Sequence, residues 1–165
     1  MRFSEVESNK EKYMALLVDA DPSEAMVRTY LEEGTMIRLE DEGETACLAI
    51  VKKVGPDTLE LMNLVTVPEK RRRGYAAAMM RYLNTRFAPH FTYLTVGTAA
   101  TRVAFYKKQG FMVTHTVPDF FPAHYPEPVM DRGVLCVEKI YLRKVLHNSG
   151  LVRMVPRVLQ KGGAK

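Results

Sequence analysis

The chain has 165 residues, 47% hydrophobic and 26% charged, with a formal net charge of +5. That length suits one domain able to bury about two thirds of the surface its unfolded chain exposes, and the composition is that of a globular rather than a disordered protein. No run of about 18 apolar residues is present to cross a membrane, and the opening MRFSEVESNKEKYMALLVDAD is too acidic and interrupted for a secretory signal, so a cytoplasmic location is expected.

Charge is segregated: residues 1–60 hold 7 Lys/Arg against 14 Asp/Glu, and residues 61–165 hold 17 against 5. The basic half includes Arg143, Lys144, Arg153, Arg157, Lys161 and Lys165, yet aromatic residues are not interleaved with that tail, so no nucleic acid partner is expected. Attraction of an anionic ligand accounts for part of the imbalance. Two cysteines, Cys47 and Cys136, read as reduced core thiols. The histidines at 90, 115, 124 and 147 lack ligand spacing, so no metal is expected. A Gly-Lys-Ser/Thr phosphate loop is missing, which argues against a nucleotide hydrolase.

In chain order, Tyr13–Val18 reads as a short edge strand. Asp21-Pro22-Ser23-Glu24 then starts a helix, with Asp21 as the cap and Pro22 in the first turn, that ends at Gly34. Thr35–Glu40, a turn through Asp41-Glu42-Gly43, and Thr45–Val54 form a hairpin. Gly55-Pro56-Asp57 leads to an apolar strand ending at Val67, giving β-α-β-β-β. Pro68-Glu69-Lys70 then opens a turn, Arg71-Arg72-Arg73-Gly74-Tyr75-Ala76 follows, and a helix of strong formers begins. Tyr93–Gly97 is a strand, Ala100–Gln109 a helix stopped by Gly110, Phe111–Val117 a strand, and Val134–Leu142 the last strand. Between these last two, residues 118–133 hold four prolines, with Phe120, Phe121, His124 and Tyr125, and read as a stiff loop. Residues 148–165 read as a partly ordered basic tail, or as a short helix that packs on a partner subunit in a homodimer. The domain proper is 1–147.

A strand that stops at a Gly-containing basic turn and opens a helix leaves backbone N–H groups without intrahelical partners, with the positive end of the macrodipole behind them. Such a turn suits a diphosphate, and it also suits an ordinary solvated basic turn. Arg71-x-x-Gly74-x-Ala76, preceded by Val65-Thr66-Val67-Pro68-Glu69, resembles the acetyl-CoA signature of the Gcn5-related N-acetyltransferases. Phe105-Tyr106-Lys107-Lys108-Gln109-Gly110-Phe111 is similar to that family's second motif, and the match covers about residues 45–117. Ala99 departs from the family's frequent Asn, which leaves that cofactor contact in doubt.

The resemblance implies an α+β single domain with a central mixed, mostly antiparallel sheet, a splayed strand pair and helices on both faces. It implies transfer of an acetyl group from acetyl-CoA to a primary amine of a small molecule or peptide, by direct attack in a ternary complex. The strand edge at Val65 and Val67 would hold the pantetheine arm, an amide near Val65 would face the oxyanion, and residues 71–76 would hold the diphosphate. Tyr106 occupies the family's general-acid position, and the motif match favours that role over a helix tyrosine packed between core layers. Glu60, 14 residues before Gly74, has the spacing of the base in the histone-acetylating branch. Burial in Leu59-Glu60-Leu61 would raise its pKa, although a solvated or Lys-paired Glu is the alternative. Asn63, on the opposite face, could position substrate. Phe121 and Tyr125 could bind a cationic amine, or their loop could cap the sheet or form a dimer contact. A non-catalytic acyl-CoA-binding module is the second functional reading, and a nucleic-acid-binding protein acting through the basic half is the third.

Overall fold

The structure, a computed structural model, describes residues 1–147. β-Branched and apolar residues at alternating positions lay down β2 (Thr35–Asp41), β3 (Glu44–Lys53) and β4 (Thr58–Thr66) as antiparallel neighbours. β1 (Arg2–Val6) adds to the free side of β2, and β5 (Tyr93–Thr98) runs parallel to β4. β9 (Lys139–Val145) lies between β5 and β6 (Met112–Val117), completing a seven-stranded mixed sheet in the order β1-β2-β3-β4-β5-β9-β6. β3 is buried from Ala46 to Val51 because both faces are covered, which explains its near-continuous apolar run.

One face packs on α1 (Met14–Ala20) and α2 (Glu24–Leu31), through Leu17, Val27, Tyr30 and Leu31 against Met36, Leu48, Ile50 and Val65. The other packs on α3 (Tyr75–Phe87) and α4 (Val103–Lys108), through Ala78, Met79, Leu83 and Tyr106 against Ala49, Val51, Leu61 and Val96. α5 (Phe120–His124) and the hairpin β7 (Met130–Asp131) and β8 (Val134–Leu135) stand outside the large sheet.

Several local expectations are corrected. Tyr13–Val18 belongs to a 3-10 turn and α1, because Met14, Ala15, Leu16 and Leu17 are strong helix formers and a short apolar run does not reveal its own period. The first strand is Arg2–Val6, so the order opens β-α-α-β-β-β. Ser23, not Asp21, caps α2, its Oγ accepting the Met26 N–H at 3.2 Å, and Pro22 precedes the cap. Residues 118–133 contain α5 and most of a hairpin whose turn uses left-handed Arg132 and Gly133, so the last sheet strand begins at Lys139 rather than Val134. Cys136 is buried outside any strand, its N–H bonded to the Val129 carbonyl; both cysteines are free thiols. The expectation for residues 148–165 lies outside the described residues.

Lys10 is the other element of the α1–α2 layer that no pattern announced. It is buried, and its Nζ donates to the carbonyls of Leu31, Glu32 and Gly34 at 3.2, 3.1 and 2.7 Å, satisfying the C-terminal end of α2 with a positive charge.

Candidate active site

β4 and β5 pair only from Thr58↔Tyr93 to Leu61↔Val96, although β4 continues to Thr66 and β5 to Thr98. Past Leu61 the two strands part, and β4 keeps β3 as its partner on one side only. Antiparallel pairing directs successive residues' backbone groups to opposite sides. The Val67 N–H donates to the Ala46 carbonyl at 2.9 Å, which places Val67 and Val65 on the β3 side. The groups offered to the gap are therefore those of Leu64 and Thr66, and the Thr66 carbonyl is met from that side by the Arg71 Nε at 3.4 Å. This corrects the assignment of the open edge to Val65 and Val67.

The gap ends at the start of α3. The turn amides of Lys70 and Arg71 bond back to Val67 and Pro68, and the Ala78 N–H bonds to Gly74. Among the described residues, the six N–H groups from Arg72 to Ala77 make no hydrogen bond. Arg72 and Gly74 both have positive φ, at 61° and 83°, and residues 71–74 are exposed. A row of bare amides at a helix N-terminus, in a segment that also carries Arg71, Arg72 and Arg73, has the donors and the positive charge an anion would need. Tyr75 leaves its amide unpartnered while its hydroxyl donates to Asp41 at 2.6 Å.

Tyr106 projects from α4 into the core beneath this gap, packed edge-on between Phe105 and Phe111 at 5.1 and 5.4 Å. Its hydroxyl forms no hydrogen bond among the described residues, and burial pushes its pKa up, so it carries its proton at neutral pH. Cys47, nearby on β3, has its thiol raised to about 11 by burial, which makes it a poor nucleophile.

Glu60 and Asn63 share a face. Glu60 pairs with Lys52 and Asn63 with Ile50, two residues apart on β3, because the register shifts between Ile50 and Val51. Asn63 was expected opposite Glu60; the bulge turns it. Both stand on the α1–α2 face, away from Tyr106. Glu60 is half-buried, and burial raises its pKa while Lys139 and Lys52 oppose the rise. Asn63 is 4% exposed, its Nδ2 donating to the Leu17 carbonyl and the Tyr30 hydroxyl, both at 3.1 Å. Its Oδ1 is buried without a partner among the described residues.

The 118–129 segment reaches the same face. Tyr125 and Tyr30 donate their hydroxyls to the two oxygens of Asp21, at 2.7 and 2.8 Å. Phe121 leans on Tyr125 with ring centroids 5.6 Å apart. The sheet residues there are Gly97, Tyr141 and Lys139, which the sequence did not single out. A cavity of about 370 Å³, lined by Ala99, Ala100, Pro118 and residues 134–138, opens beside α4 at the end of β5.

Comparison with known proteins agrees with this geometry. The profile of the acetyltransferase (GNAT) domain matches residues 32–113. The chain is 27% identical over 140 residues to YvbK of Bacillus subtilis (strain 168), an uncharacterised N-acetyltransferase, covering 82% of this chain and 90% of that one. Its fold matches a GNAT family acetyltransferase from Elizabethkingia anophelis with acetyl-CoA bound, at TM-score 0.83 and 22% identity over 88% of this chain and 97% of that one. A Bacillus subtilis acetyltransferase in complex with CoA matches at TM-score 0.80 and 25% identity, covering 88% and 99%. With the parted strands, the bare turn and the two sequence motifs on one scaffold, the chain belongs to the Gcn5-related N-acetyltransferase family.

Proposed function

We propose that the protein is an N-acetyltransferase that moves the acetyl group of acetyl-CoA to a primary amine of a small molecule or peptide by direct attack. The observation that carries this reading is the parting of β4 and β5 after Leu61 and Val96 beside the unpartnered amides of residues 72–77. Those amides and the flanking arginines fit a diphosphate, and the free edge at Leu64 and Thr66 fits an amide-bearing chain as one more strand would.

Acetyl-CoA supplies an acyl group already activated as a thioester. The chain's own residues then divide by face. Tyr106, on the α4 side, donates its phenolic proton to the departing thiolate and regains one from the second proton the nitrogen sheds as the amide forms. The Leu64 N–H on the open edge is the donor for the developing oxyanion. Glu60, on the α1–α2 side, takes the proton that the attacking ammonium must lose, through a water. Burial suits both groups, keeping Tyr106 protonated and raising Glu60 toward the working pH. Asn63, Phe121 and Tyr125 shape the acceptor side: Asn63 fixes α1 and α2 to β4, and Tyr125 latches the 118–129 segment to Asp21.

A screen of amines for acetyl-CoA-dependent thiol release, with mass spectrometry of the product, tests the reading. An N-acetylated amine with stoichiometric CoA is expected. CoA binding without turnover of any amine would make the protein an acyl-CoA-binding module instead.

A further inference from the structure

Lys139 is the feature of the acceptor face that the mechanism does not use. It begins β9, two residues before Tyr141, which pairs with Gly97, so Lys139, Tyr141 and Gly97 share the face that carries Glu60. Gly97 is the residue of β5 immediately after its last pairing with β4, the apex of the parted strands. A Cβ at Gly97 would sit 2.3 Å from Lys139 Cε and 2.8 Å from the Tyr141 ring. The absence of a side chain at Gly97 therefore leaves room for the lysine stem to cross β5 at that apex. The ammonium stands 4.3 Å from the Phe120 centroid and 5.2 Å from that of Tyr141.

Among the described residues no carboxylate lies within ion-pair reach of this ammonium, and it makes no hydrogen bond. Asp21 has both oxygens engaged by tyrosine hydroxyls, and Lys52, the other cation near Glu60, pairs with Glu33 at 3.0 Å. Aromatic faces hold the charge without neutralising it. A half-buried cation without an ion-pair partner, on the same sheet face as Glu60 and close enough to feel its charge, leaves that face with two opposite poles.

We propose that Lys139 fits the acceptor site to zwitterionic amines, small molecules carrying a carboxylate or similar compact anion close to the amine. This rests on the acetyl-transfer reading and narrows its substrate class. The amine faces Glu60 and the anion faces Lys139, so each charge meets its opposite. A polyamine or aminoglycoside would place a second positive charge against Lys139, and like charges brought together in a partly desolvated site repel. Burial, which lowers the Lys139 pKa while Glu60 and Asp21 raise it, keeps the ammonium responsive to such a partner.

The test compares kcat/KM for glycine with glycinamide, and phenylalanine with phenylalaninamide, with spermidine as the polycation, in the native protein, Lys139→Met and Lys139→Arg. One charge-assisted hydrogen bond to a carboxylate corresponds to about a 10- to 100-fold preference. The acid-to-amide ratio is expected to fall by that factor in Lys139→Met and to be largely restored in Lys139→Arg, with the KM for acetyl-CoA moving less than twofold. Lys139→Gln serves the same comparison should the methionine variant fold poorly. An unchanged ratio, or spermidine used by the native protein as well as the amino acids, would overturn the assignment. If no amine is turned over, the transfer reading fails separately, and calorimetry with N-acetylphenylalanine and its amide decides Lys139 alone. Preference for the acid that Lys139→Met abolishes upholds it, and equal binding of the two overturns it.

Discussion

Gly74→Ala separates the turn's effect on stability from its effect on ligand binding. Gly74 has φ +83°, where a side chain is strained, and a Cβ added there would meet no atom within 4 Å. No clash and no new packing accompany the methyl, so the stability loss is the backbone strain alone, about 1–2 kcal/mol. For a domain of this size that is a melting temperature lower by roughly 2–8 °C. Binding suffers differently, because the methyl fills open space on the turn that carries the bare amides of residues 72–77, space a diphosphate bound there would need. Displacing two hydrogen bonds to a charged diphosphate, each about 1.5–3 kcal/mol, weakens CoA binding by at least about 100-fold. Gly43→Ala is the matched control: φ is +79°, nothing lies within 4 Å, and the residue sits in the β2–β3 turn. Scanning calorimetry should give both variants similar losses of melting temperature, and titration calorimetry should show weakened CoA binding for Gly74→Ala only. Equal CoA affinity in the two variants would refute the placement of the diphosphate.

Three other variants probe the remaining parts. Glu60→Gln should remove the acidic limb of the rate profile: the native rate rises as pH passes upward through a Glu60 pKa lifted above its usual 4.5 by burial. Its stability sign is the reverse, since a raised carboxylate pKa costs stability once pH exceeds the unfolded value, so Glu60→Gln should melt higher than native at neutral pH and lose that advantage in acid. A native-like rate profile would remove the base role. Tyr106→Phe should lower kcat about 10- to 100-fold with CoA affinity within twofold of native, measured by steady-state kinetics and calorimetry; an unchanged kcat would assign the proton to water. Lys10→Met should destabilise by about 2–4 kcal/mol in urea unfolding, because three carbonyls at the end of α2 lose one buried donor; a loss under about 0.5 kcal/mol would show that water replaces it.

The sequence announced most clearly what is local. The turn at residues 71–76 is legible because a basic, Gly-containing link between an apolar strand and a helix carries its chemistry in its own backbone. The Thr35–Val54 hairpin was legible for the same reason, through its Asp-Glu-Gly turn and β-branched flanks. What depended on register was not. Whether the open edge belongs to Val65 or Leu64 is decided by one hydrogen bond from Val67 to Ala46. Whether Asn63 faces Glu60 or opposes it is decided by a single bulge opposite β3. Lys139 lay deeper still, since its significance comes from crossing a glycine on another strand and from the lack, among the described residues, of a carboxylate within ion-pair reach. Tyr13–Val18 failed for a different reason: an apolar run that short fits a buried helix and a strand equally.

The most direct measurement is a CoA titration followed by the backbone amide resonances of the isotope-labelled protein. Large shifts confined to residues 72–77, with Leu64 and Thr66 on the open edge, are the expected result. Undisturbed resonances there at saturating CoA, with shifts gathered elsewhere, would contradict the placement of the cosubstrate and the division of Tyr106 and Glu60 to its two sides.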